Sequence, residues 1–128
     1  MKDVQIRKEW NWIATLAVAI LHIASVYAVT YGVMNGFSLG NWELFGIFNF
    51  LTILSVSVGY HRFVTHSSFE CAWPLKLLLL IFGGLAFQGH AIGWARNHRA
   101  HHAFADKQGD PHSPKNGFWW SHIVWFMT

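Results

Sequence analysis

"LKLLLLIFGGLAFQGHAIGW", Leu75 to Trp94, is an apolar run of about 20 residues, and whether it crosses a membrane decides the fold. Its length permits a crossing of a hydrocarbon core of ~30 Å. Its content argues against one. Lys76, Gln88 and His90 are polar interruptions, and Gly83, Gly84, Gly89 and Gly93 weaken a continuous helix. A helix at a membrane interface, or packed in a cap beside the membrane, suits the segment better. The run also separates two groups of histidines, His61 and His66 before it and His98, His101 and His102 after it. If it crossed, the two groups would lie on opposite faces of the bilayer.

Upstream, Trp12–Tyr31 ("WIATLAVAILHIASVYAVTY") and Trp42–Tyr60 ("WELFGIFNFLTILSVSVGY") each read as a transmembrane helix of about 20 residues. Their one formal charge, Glu43, sits at the outer end of the second. The first is too long for a signal-peptide core and lacks a small-residue cleavage site, so it reads as retained. Between them, "GVMNGFSLGN" (32–41) is a turn without a basic residue. All nine Lys and Arg flank this hairpin: Lys2, Arg7 and Lys8 before it, and Arg62, Lys76, Arg96, Arg99, Lys107 and Lys115 after it. That asymmetry puts residues 1–11 and 61–128 in the cytoplasm and the 32–41 turn outside. The expected class is an all-α integral membrane protein. Its transmembrane helical hairpin is followed by a cytoplasmic histidine-bearing region, with 75–94 an interfacial helix.

Composition agrees. The chain of 128 residues is 53% hydrophobic and 12% charged, about half the charge fraction of an ordinary soluble domain. The net charge of +3 is a topology signal rather than a nucleic-acid-binding patch, since the basic residues only flank the spans. Cys71 is the lone cysteine, so no internal disulfide forms.

The stretch Asn97–Pro114, "NHRAHHAFADKQGDPHSP", carries the chemistry. On a helix His98, His101 and His102 fall within about 100° of arc, and three imidazoles on one face suit Fe, Zn, Cu or Ni. Arg96 and Arg99 are interleaved, as on a solvated basic face, but three histidines in five positions favour a metal. His61 and His66, in "HRFVTH", are about 140° apart on a regular helix and converge only if the helix unwinds as it leaves the membrane. His22, mid-span, is expected to be neutral, hydrogen-bonded and packed; His90 is expected to be structural. His112 and His122 are candidates for partners behind a metal site rather than ligands.

At these residues the sequence resembles the membrane fatty-acyl desaturases, specifically the delta-9 acyl-CoA and acyl-lipid group that includes stearoyl-CoA desaturase. The resemblance rests on "GYHRFVTH", "WARNHRAHH" and "DPHSPKNGFWWSH" and runs from about Trp12 to the end. It implies an O2-dependent enzyme that introduces a cis double bond, delta-9 by analogy, into an acyl-CoA or acyl-lipid through two histidine-held irons. Electrons would come from a ferredoxin or a cytochrome b5-type donor. It further implies that both histidine boxes reach one cytoplasmic dimetal centre, with ligands His61, His66, His98, His101 and His102. Gln88 and Trp94 match the bend of the substrate tunnel, and Arg96 a position near a CoA head group. Gly89 stands where animal acyl-CoA enzymes tend to have Asn, which leaves the carrier open between CoA and lipid. Asn49, Ile53 and Ser57 step back from His61 about a turn at a time, as tunnel wall or as ordinary helix packing. The family's second pair of spans and third histidine box are not in these 128 residues. The implied reading is therefore the N-terminal part of the family fold, inactive by itself. The alternative is a non-catalytic membrane metal-binding protein derived from a desaturase.

Overall fold

Asn11 begins the first helix. Its side chain accepts the Ala14 backbone N–H, one of the donors that a first helical turn leaves unpaired. The computed structural model describes residues 9–128, and no strand occurs among them; Lys2, Arg7 and Lys8 lie outside those residues. Helix α1 spans Trp12–Asn35 and ends at Gly36, whose φ of 85° suits a residue without a Cβ. Only Gly36–Ser38 separates it from α2, Leu39–Leu54.

The outer turn expected over 32–41 is therefore much shorter, for two local reasons. Gly32 is buried against the Phe37 ring, which folds back where a Cβ would otherwise stand. Ser38 and Asn41 cap α2 reciprocally: Ser38 Oγ accepts the Asn41 N–H and Asn41 Oδ1 accepts the Ser38 N–H. These contacts pull both helices into the expected turn.

Both α1 and the continuous helix from Leu39 to Thr65 are long and apolar enough to cross a membrane. Ile13, Ile23, Val33, Leu44 and Phe50 all face outward from them. Water would not tolerate so much exposed hydrocarbon, whereas lipid matches it. The molecule is an all-helical membrane protein with its histidine-rich region after the two spans. No Cα of α1 comes within 8 Å of α2. Instead α1 is tied at its start, where the Asn11 N–H donates to the Met127 carbonyl at 2.7 Å.

The second span does not unwind at its end. Over Ser55–Thr65 it widens into a π-helix, bonded i to i+5. The His66 N–H donates to the His61 carbonyl at 3.1 Å, and Thr65 Oγ1 donates to the Tyr60 carbonyl at 2.7 Å. This π segment is the buried centre of the molecule. Its Gly59 lies against Leu79 of α3 (Trp73–Leu85), and its Tyr60 ring covers Gly83, where no side chain would fit. Tyr60 and Leu79 are each 2% exposed and Ala95, on the helix α4 (Ala91–Phe104), 0%, so three helices meet here. Burying a ring of that size contributes about 1.5–3 kcal/mol.

The single helix expected over 75–94 is in fact two. At 13 residues, α3 is ~20 Å long, too short to span a hydrocarbon core. The chain then turns through Ala86–His90 and starts α4, Ala91–Phe104. Phe87 and Gly89 both take positive φ, 56° and 80°, which no α-helix accommodates. His90 then caps α4, its Nδ1 accepting the Gly93 N–H at 3.1 Å. Beyond α4 the loop 105–113 leads to a short helix α5, Phe118–His122, flanked by single 3₁₀ turns at Pro114–Asn116 and Val124–Met127.

Candidate metal centre

Two helical periods bring four imidazoles together. His61 lies on the π segment and His66, five residues on, caps it, so the two stand one i to i+5 turn apart. His98 and His102 are four apart on α4, matching an α-helical turn. Arg99 clamps the two helices, its guanidinium donating to the Thr65 carbonyl at 3.0 Å. The outcome is a box of four rings. Centroids lie 4.7 Å apart for His61–His66 and for His61–His98, 5.1 Å for His66–His102 and 4.5 Å for His98–His102.

One donor nitrogen from each of the four falls within 4.8 Å of the others. The Nε2 atoms of His98 and His102 face each other at 3.0 Å. Facing nitrogens must share a proton or a cation, and bonds of ~2.1 Å from each would reach one metal ion between them. An all-imidazole set suits Fe, Zn, Cu or Ni over Mg or Ca. The residues fit a metal.

His101 is not part of this box. The expected single face of three imidazoles is split: the His101 ring sits 6.4 Å from His98 and 6.1 Å from His102. It stacks instead on His112 at 4.3 Å, and its Nδ1 donates to the Asp110 carboxylate at 3.0 Å. His101, Asp110 and His112 form a second group whose donor atoms lie within 4.8 Å of one another. Asp110 is not among the residues expected at the site from sequence, and His112 is expected there only as a partner. Nothing in the residue types of "GDPH" says that this loop returns to α4. The Asp–Pro pair, a turn signal nine residues after His101, is the available clue.

Burial first, then the neighbouring His102, His61, His66 and His101, hold the His98 imidazole down to about 4. His66 is also pushed down, by partial loss of water and then by His61, His102 and Arg99. Burial alone would raise the Asp110 carboxyl. Hydrogen bonds from His101 and from the Asp106 and His112 N–H groups outweigh it and keep the group below its usual value. Neutral imidazoles and an ionised carboxylate are the protonation states that bind metals.

Of the other residues singled out in the sequence, Trp94 stacks on His98 at 4.7 Å, and its indole N–H donates to Gln88 Oε1 at 2.9 Å. Gln88, Asn49, Ile53 and Ser57 line one cavity of about 550 Å³, between α2 with its π extension and the end of α3. Phe87 lines this cavity and also a second one of about 740 Å³ on the α1 side, which His90 borders. Arg96 is exposed on α4, outside both cavities. His22 is hydrogen-bonded, its Nδ1 2.7 Å from the Val18 carbonyl, but it is exposed rather than packed. His122 stacks on Phe118, apart from both histidine groups.

No family model matches the chain. Individual curated proteins do. It is 34% identical to a human protein named stearoyl-CoA desaturase, over 94% of this chain and 33% of that protein. It is 39% identical to the acyl-CoA Delta(11) desaturase of Choristoneura rosaceana, over 84% of this chain and 32% of the relative. It is also 39% identical to the sn-1 stearoyl-lipid 9-desaturase of Anabaena variabilis, over 91% of this chain and 42% of the relative. The chain thus spans about a third of the length of the curated relatives it matches.

Proposed function

We propose that this chain, a relative of the acyl-CoA and acyl-lipid desaturases along nearly all of its length, forms part of the iron-binding face of such an enzyme. The observation that carries the reading is the meeting of His61 and His66 with His98 and His102 across two separate segments. His101 joins them as the fifth ligand. Two irons held by these histidines and by ligands beyond this chain would supply the oxidising power, with O2, to remove two hydrogens from an unactivated acyl chain.

The chain's own residues bind and orient that substrate. Asn49, Ile53 and Ser57 wall a cavity that would take the acyl chain, and Gln88, which lines it and is bonded to Trp94 beside His98, would set its bend. Trp94 shields one face of the His98 ring from water. Arg96, exposed on α4, offers a guanidinium to a phosphate of the carrier, a CoA or a lipid head group. The basic flanks orient the hairpin with its histidines toward the cytoplasm, where a ferredoxin or cytochrome b5-type donor delivers electrons. The double bond is cis, at delta-9.

A second reading, a non-catalytic membrane metal-binding protein, is favoured by one observation: His66 and His102 stay exposed, leaving the box open on one side. Metal content and lipid analysis separate the two. The chain is purified for metal analysis, and it is also supplied with the remaining two thirds of a matched desaturase in cells that require unsaturated fatty acids. Bound iron together with restored unsaturation, both lost in His98→Ala, is the expected result. Zinc or no metal, with no unsaturation, would overturn it in favour of the second reading.

A further inference from the structure

Asp110 is the one buried carboxylate among the described residues, 1% exposed, and the chemistry above gives it no task. The loop 105–113 is folded around it. Asp106 takes a left-handed φ of 57°, unusual without glycine, and Gly109 one of 105°, with the Phe104 ring 3.2 Å from where its Cβ would be. The Lys107 N–H donates to the Phe104 carbonyl at 2.7 Å, and the Asp110 N–H to that of Lys107 at 3.1 Å. This tight return places the carboxylate under His101. One oxygen accepts the His101 Nδ1–H at 3.0 Å and the His112 N–H at 3.1 Å; the other accepts the Asp106 N–H at 3.0 Å.

An ionised carboxylate only accepts, so His101 Nδ1 must carry the ring proton. A neutral imidazole has one such proton. The lone pair of His101 is therefore at Nε2. We infer that Asp110 is a positioning residue: it locks His101 in the Nδ1–H tautomer and turns its ring out of the four-histidine box, so that Nε2 serves a second metal position. The inference rests on reading these histidines as metal ligands, and it assigns them unequally: His61, His66, His98 and His102 to one ion, His101 to the other. Metal-bound histidines characteristically donate their other N–H to a carboxylate, and loss of that partner lowers affinity 10–100-fold.

The first test needs no substitution at Asp110. The full chain, metal-free in detergent and labelled with 15N-histidine, is examined by long-range 1H–15N correlation, with His101 assigned from the signal lost in His101→Gln. The Nδ1–H tautomer is expected; an Nε2–H tautomer overturns the inference without touching the four-histidine box. The second test titrates cobalt(II) as a spectroscopic probe. Asp110→Asn should weaken the His101-dependent ion ~10–100-fold and leave the other unchanged. In the His101→Ala background it should cause no further loss. An equal loss in both backgrounds means that the carboxylate merely holds the loop, and overturns the inference. If His101 is the Nδ1–H tautomer but cobalt binds neither the wild type nor His101→Ala, the metal reading itself falls, and the role of Asp110 with it.

Discussion

His98 is the residue on which the most neighbours converge: Trp94 stacks on it, and the rings of His61, His66 and His102 surround it. Its imidazole is held down to about 4, while an unfolded chain would titrate near 6.5. Between those values the unfolded state takes up a proton that the folded state refuses. In the metal-free chain stability should therefore fall as pH drops from about 6.5 toward 4. Asp110 acts lower: its carboxyl is held below its usual value, so its contribution survives mild acid and fades as pH falls through the depressed value. Thermal midpoints measured across this range should decline, and the decline should be shallower in His98→Gln. An NMR titration placing His98 near 6.5 would contradict the first half of this account. At this scale the box histidines could be named from spacing, but their partition could not. His101 looks like its neighbours in "HRAHH", and only the return of Asp110 from nine residues away distinguishes it.

Elements were legible where hydropathy alone decides them and illegible where a single contact does. The two spans follow from long charge-poor runs, whereas the three-residue turn between them depends on Phe37 finding Gly32. The glycines that interrupt 75–94 have specific tasks. Gly83 admits the Tyr60 ring, and Gly89 takes a positive φ and accepts the Tyr60 hydroxyl at 3.2 Å. Gly83→Val should thus cost about 1–3 kcal/mol through overpacking, read as a lower unfolding midpoint in detergent. An unchanged midpoint would mean that the Tyr60 ring has room to move. The π segment makes a sharper prediction. Deleting Val64 leaves the helix the option of closing to an α-helical period, with the two histidines then four apart. Helicity by circular dichroism should persist, yet Arg99 would lose its register with Thr65 and cobalt affinity should drop at least tenfold. Unchanged affinity would show that the i to i+5 pattern is incidental to the site.

Across the whole molecule, two helices are long and apolar enough to cross a membrane and α3 is too short to do so, an arrangement that would set the histidines on one side. Cysteine labelling tests this directly. With Cys71 replaced by Ser, Phe37→Cys should react with an impermeant maleimide from outside the cell, and Lys107→Cys only after the membrane is opened. Reaction of both from the same side would overturn the hairpin. The charge pattern carries the same expectation, since the described span helices have no Lys or Arg before Arg62. The packing of α3, α4 and the π segment on Tyr60 is not legible in sequence, because it depends on notches rather than on hydrophobicity. The π-helical stretch also bears on how such a site arises. A pair of histidines five apart is one residue out of step with the pair four apart that faces it. No exchange of one amino acid for another converts one spacing into the other. The step between them is a gained or lost codon, so variation in gene length, rather than in residue type, is where the making or breaking of this half of the box would be written.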